Sequence, residues 1–152
     1  MAGRRHIGRP AAANDLRLDL ASQARLLAPM RGLVRTYLLN EGFSSDKAEE
    51  VVLAVDEACT NAIRHSYDGD PGQRLILSVR KRDGAVEFEL RDEGKPIEPD
   101  RCRRRDFDRP DPATLAPGGL GVQFMYRVFD EVTFRPGRER GNRVIMRLNR
   151  QK

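Results

Sequence analysis

Glu57 and Asn61 stand four residues apart in the run VVLAVDEACTNAIRHSY, residues 51–67. At roughly 100° per residue this run reads as one helix. Val51, Val55, Ala58, Cys59 and Ala62 share an apolar arc, widened by Val52 and Ile63. Glu57 and Asn61 lie one turn apart at the border of that arc, while Asp56, Thr60 and Arg64 face outward. A carboxamide oxygen in such a place can ligate Mg²⁺, which takes few protein ligands and prefers phosphates and waters. A carboxylate beside it can accept a proton from an attacking hydroxyl. The pair taken alone fits equally a solvated glutamate and an asparagine near the edge of a helix.

Two other short stretches could serve the same chemistry. Asp92 ends a strand-like run, with Gly94 beside it in RDEGKPI. A carboxylate there can accept a hydrogen bond from an exocyclic amine such as that of adenine, and Gly94 lets a flat base come close to the backbone. Asp-x-Gly after a strand is also an ordinary turn. Gly118-Gly119-Leu120-Gly121 opens a helix. Its backbone N–H groups could cradle a phosphate, since a helix N-terminus favours an anion. A flexible loop end before a helix has the same composition.

The elements that must position these residues follow from periodicity. Leu16, Leu18 and Leu20 alternate with charged residues, giving a half-buried strand over 15–20. Ser22 is placed to cap the next helix, whose apolar residues run from Leu26 to Leu38 with Pro29 as an irregularity. Ser44 or Ser45 caps the helix over 46–66. Strands over 74–81 and 85–92 are joined by Asp83-Gly84, a hairpin signal. Val86, Phe88 and Leu90 point one way, and Glu87, Glu89 and Arg91 the other. Residues 97–117 show no period and set five arginines against five acids, with Pro99, Pro110 and Pro112 among them. Such a run inside a compact domain predicts a lid or binding loop. A helix beginning at the glycines carries Val122, Met125, Tyr126 and Phe129 on one face. Strands over 131–135 and 142–149 close the order. The expected fold class is α/β, a two-layer sandwich with a mixed, mostly antiparallel sheet and helices on one face.

Composition bounds the partners. With 152 residues, 34% of them charged, one domain over 15–152 is expected behind a disordered basic tail, 1–14. The tail contributes +3 and residues 135–152 contribute +6, leaving −4 for the rest of a chain whose net charge is +5. Positive charge at two ends, with aromatics at only 6% and no Trp, points to solvated segments more than to a nucleic-acid face. No apolar stretch marks a leader or a membrane span. Cys59 and Cys102 have no metal-type spacing, and Cys59 reads as a small core residue, which suits a cytoplasmic protein.

Taken in order, the three stretches resemble the GHKL superfamily of histidine-kinase-like ATPases, and more closely the bacterial anti-sigma factor serine/threonine kinases. LAVDEACTNAIRHSY resembles that family's N box, RDEGKPI its first glycine box and GGLGVQFMYRVFDEV its second. The resemblance covers about residues 15–149. It implies a Bergerat-type ATP-binding fold with ATP and Mg²⁺ as cofactors. Glu57 would be the general base and Asn61 the Mg²⁺ ligand. Asp92 would bind the adenine amine with Gly94 beside it. The second glycine box, Gly118, Gly119, Leu120 and Gly121, would wrap the phosphates. His65 matches the N box but falls toward the apolar arc, where a packed structural histidine is expected. Pro96 stands where the wider superfamily often has glycine, a departure that suits the anti-sigma branch and weakens a gyrase-like reading. The chain length leaves no room for the dimerising segment of a histidine kinase or the transducer domains of a gyrase-like ATPase.

The function implied is phosphorylation of a serine on a STAS-type anti-sigma-factor antagonist together with sequestration of a sigma factor, by a homodimer with no membrane and no direct nucleic-acid partner. The alternatives are a non-catalytic nucleotide-binding anti-sigma module and a nucleic-acid-binding protein using its basic ends.

Overall fold

The structure, a computed structural model, describes residues 13–105 and 119–150. Residues 1–12 of the expected tail and 106–117 of the expected lid lie outside the described residues, as does Gly118. Strands β1 (Leu16–Ala21), β2 (Arg74–Arg82), β3 (Ala85–Asp92), β4 (Glu131–Pro136) and β5 (Asn142–Asn149) form one five-stranded sheet in the order β1-β2-β3-β5-β4. All four pairings are antiparallel, so the sheet holds no mixed pairing. Helices α1 (Leu27–Asn40), α2 (Ser45–Asn61) and α4 (Gly119–Val128) pack against one face.

Alternation sets that face. Leu77, Val86, Phe88, Leu90, Met146 and Leu148 point into the core and are buried, each removal of such a side chain from water being worth about 1.5–3 kcal/mol. Phe88 meets Phe129 edge to face at 5.8 Å, fixing the end of α4 on the centre of the sheet. On the other face, Glu87 pairs with Arg80 and Glu89 with Arg91 and Arg143. The β2–β3 hairpin turns on Asp83 and Gly84, both at positive φ (50° and 74°), the backbone that a two-residue I′ turn requires.

Helix α2 starts where expected: Ser44 Oγ accepts from the Lys47 N–H at 3.2 Å. Helix α1 does not start on Ser22. That serine is buried and its hydroxyl donates to the Asp70 carbonyl, while a 3₁₀ turn over Ala24–Leu26 leads into α1. Pro29 lies in the first turn of α1, where its missing N–H leaves no helical bond unmade, and it causes no break.

The far end of α2 also departs from expectation. Residues Ala62–Ser66 continue it as a π turn, with the Tyr67 N–H donating to the Ala62 carbonyl at 3.1 Å. Bonds of the i→i+5 kind widen the turn, so each residue advances by less than in an α-helix. Ala62, Ile63 and Ser66 are the buried residues of this turn, and His65 is not among them. Ser66 is 3% exposed, whereas His65 is only half-buried.

Within the run expected to be aperiodic, Pro99–Cys102 forms the short helix α3. The first nine residues of that run are thus ordered and attached to the domain, and the contacts that hold them belong to the site.

Candidate functional site

A cavity of about 350 Å³ opens between the end of α2, the end of β3, the 95–105 segment and α4. Asn61 and Asp92, expected from sequence to act together, both line it. His65, Ser66, Arg101 and Gln123 line it as well.

Asp92 is the best-anchored group in the cavity. It points inward from the end of β3 and is 5% exposed. Its Oδ1 accepts from the Gly94 N–H at 2.9 Å and its Oδ2 from the Ser66 hydroxyl at 3.1 Å. Asn142, directly opposite on β5, donates from Nδ2 to Oδ1 at 3.0 Å. A carboxylate offers about four lone-pair directions. Three donors leave capacity for one more from the cavity. Burial pushes the Asp92 carboxyl above the ordinary carboxylate range, against the three hydrogen bonds that favour its charged form.

Gly94 does not line the cavity. A Cβ at this position would collide with the Ser66 carbonyl, and the next N–H, of Lys95, donates to that carbonyl at 2.8 Å. The glycine is required because two backbone segments touch there. Glycine for close approach was expected, but the approaching group is the π turn of the protein itself.

Asn61 presents its carboxamide to the cavity without a hydrogen-bond partner among the described residues. Among the described residues there is no group of three or more His, Cys, Asp or Glu that could cage an ion. One free amide oxygen beside an open cavity fits Mg²⁺, which accepts one or two protein oxygens and fills its remaining positions with water and phosphate.

Glu57 lies outside the lining. Its carboxylate rests against Gly121 in the first turn of α4, where any Cβ would strike it. The N box and the second glycine box are therefore in contact through Glu57 and Gly121. Leu120 is 60% exposed and turned away from the core. Gly119 begins α4. Lys47 Nζ, from the start of α2, donates to the Val128 carbonyl at 3.1 Å and so caps the other end of α4.

His65 is a cavity residue rather than a packed core residue. Burial, then the nearby Arg101 and Arg64, push its imidazole below the usual value, so it is neutral near pH 7. Gln123, Ser66 and Asn142 were not singled out by sequence. Gln123 is 6% exposed on α4; its Oε1 accepts from the Arg105 N–H at 2.8 Å and its Nε2 donates to the Arg103 carbonyl at 2.7 Å. The Tyr126 hydroxyl donates to the Cys102 carbonyl. Of the lid arginines, Arg101 and Arg105 line the cavity, and Arg103 and Arg104 do not.

The sheet order, the one-sided helical layer and this cavity can be set beside known proteins. Residues 20–148 match the family model of the histidine kinase-like ATPase domain, and the chain belongs to that family. It is 32% identical over 124 residues to the serine-protein kinase RsbW of Bacillus subtilis, covering 79% of this chain and 77% of that one. It is 30% identical over 136 residues to the anti-sigma F factor of Clostridium botulinum strain Eklund 17B, covering 88% and 93%. The SiaB–SiaC complex of Pseudomonas aeruginosa contains a chain of the same fold, with a TM-score of 0.63 at 16% identity over 89% of both chains. The RsbU and RsbW domains of Rv1364c from Mycobacterium tuberculosis give 0.60 at 16% identity, over 88% of this chain and 32% of that longer one. No helix among the described residues is long and apolar enough to cross a membrane.

Proposed function

We propose that the protein is an ATP-dependent serine/threonine kinase and anti-sigma factor, phosphorylating a serine on a STAS-type anti-sigma-factor antagonist and holding a sigma factor. The observation that carries the reading is the meeting of Asn61 and Asp92 in one cavity, on a chain whose relatives include a serine-protein kinase and anti-sigma F factors. The remaining acceptor capacity of Asp92 suits the exocyclic amine of adenine. Guanine presents a carbonyl oxygen at the corresponding position, which a carboxylate repels.

In this reading Asn61 holds Mg²⁺, which when bound neutralises charge on the phosphates. Glu57 takes the proton from the serine hydroxyl as its oxygen forms a bond to the γ-phosphorus. The bond from phosphorus to the bridging oxygen breaks, and ADP leaves. Gly119, Leu120 and Gly121, with Gly118 before them, supply backbone N–H groups to the phosphates. The added phosphate brings about −1.5 to −2 charges, enough to dismiss the antagonist. Two free thiols, Cys59 in the core and Cys102, suit the reducing cytoplasm. A homodimer without direct nucleic-acid contact completes the reading.

One observation favours a second reading, a nucleotide-binding anti-sigma module that transfers no phosphate: Glu57 lies against Gly121 and outside the cavity. Incubation with ATP, Mg²⁺ and candidate antagonists, read by intact mass, separates the two. A one-phosphate gain on an antagonist is the expected result. ATP and sigma binding with no mass gain on any antagonist that binds would favour the module.

A further inference from the structure

Asn142 is engaged at both ends of its side-chain amide, and its hydrogen bonds run in two directions. Its Nδ2 faces Asp92 Oδ1 at 3.0 Å, Ser66 Oγ at 3.1 Å and the Lys95 carbonyl at 2.8 Å. Its Oδ1 accepts from the Ile97 N–H at 2.7 Å. One neighbour reinforces it: the Gly141 N–H donates to the Gly94 carbonyl at 2.6 Å. The amide is 6% exposed, so its two ends cannot exchange roles with water. Turning it over would set its oxygen against a carboxylate and a carbonyl. It would also set its NH₂ against the Ile97 N–H.

Each end of the amide does a different task. The donor end fixes the carboxylate that faces the cavity. The acceptor end fixes the first residue of the 97–105 strap, which carries Arg101 and Arg105 into the cavity wall and is pinned again at its far side by Gln123. A hydroxyl, a single atom, could not span both; a carboxylate could not donate to Asp92.

We propose that Asn142 is a positioning residue that couples Asp92 to the root of the 97–105 strap, so that filling the base site tightens the hold on the strap and a loosened Asp92 frees it. The proposal deepens the nucleotide reading and rests on it only in its ATP arm. A ligand amine that holds Asp92 would hold Asn142, and with it the acceptor of the Ile97 N–H. One hydrogen bond gained or lost shifts a local opening equilibrium by roughly three- to tenfold.

The experiment is amide exchange by NMR on the full chain, with the Phe88 amide in β3 as the reference for global opening. In Asp92→Ala, which leaves Asn142 and Ile97 in place, Ile97 exchange should quicken by about three- to tenfold beyond any change at Phe88. Asp92→Leu, similar in shape but without an acceptor, gives the same readout should Asp92→Ala not fold. Asn142→Ala should quicken Ile97 and lower ATP affinity together. ATP added to the native protein should slow Ile97. An Ile97 rate unchanged in the Asp92 variants overturns the coupling even if ATP binds. An Ile97 rate unmoved by ATP that does bind overturns it as well. If ATP does not bind the native protein, the kinase reading fails, while the Asp92 variants still decide the coupling.

Discussion

The two parts of the site are built in opposite ways. Around Asp92, nearly every polar atom is already engaged: Ser66, Gly94, Asn142, Lys95 and Ile97 form one closed network of backbone and buried side chains. Along the seam of α2 and α4, Asn61 and Glu57 have no hydrogen-bond or ion-pair partner among the described residues, and the glycine helix start carries nothing larger than Leu120. The first region is held in place by its own hydrogen bonds, as the proposed recognition of one flat polar edge requires. The second leaves its donors and acceptors open for charges that arrive with a ligand. The proposed reading assigns recognition to the rigid part and chemistry to the part with free side chains.

The largest effect that would sharpen this contrast is on rate. Glu57→Gln keeps the shape and removes the basicity, so phosphate transfer should fall by about 10²–10⁴-fold. ATP affinity and sigma binding should stay near native, measured by calorimetry beside a transfer assay. Native-rate transfer would show that Glu57 is not the base. Asn61→Ala, by contrast, should weaken Mg²⁺·ATP binding and every later step.

Next in size come changes to the preorganised region. Asp92→Ala should weaken ATP binding by about 1–3 kcal/mol; GTP should bind the native protein poorly, and equal affinities for the two nucleotides would break the contrast. Gly94→Ala should cost about 1–3 kcal/mol in chemical denaturation, because the Ser66 backbone cannot move aside. Gly121→Ala meets only the end of a flexible side chain. It should unfold at nearly the native denaturant concentration yet transfer phosphate slowly, because Glu57 is displaced.

A pH dependence follows from the raised Asp92 carboxyl. Because its folded value lies above the unfolded one, this group favours folding at low pH and loses that contribution as pH rises through the folded value. ATP binding should run the other way, weakening as pH falls through the same range, because the protonated acid loses acceptor strength. Asp92→Asn should abolish that limb of the ATP-affinity profile. The smallest effect is expected on removing residues 1–12, which should leave the melting temperature with ATP almost unchanged; a large fall would mean that the segment docks on the domain.

Much of this was legible in the sequence where periodicity or turn chemistry spoke. The alternation of Val86, Phe88 and Leu90, the Asp83-Gly84 turn and the Ser44 cap all stand as read. Asn61 and Asp92 could be singled out because their motifs are local, and both line one cavity. His65, expected in the apolar arc, is only half-buried, because a π turn has no sequence period to betray it. Asn142 reads only as the first residue of a strand; its partners lie across the sheet, and no local pattern points there. Gln123 did leave a signal, a polar residue one position from Val122 on an otherwise apolar helix face, next to the turn that carries Tyr126. The hold on residues 97–105 was hidden because it rests on side chains far along the chain.

The place of β5 between β3 and β4 has a consequence for the order of synthesis. The cavity around Asp92 needs Asn142 opposite it, so a growing chain that has already delivered the N box and both glycine boxes still lacks a finished pocket. β3 waits with one edge unpaired until the last strand slots beside it, a pairing that joins residues fifty positions apart at Asp92 and Asn142 and is slow to close for that reason. In the proposed reading, nucleotide capture waits until β5 has docked beside β3. ATP should then stabilise chains in which β5 has docked over those in which it has not.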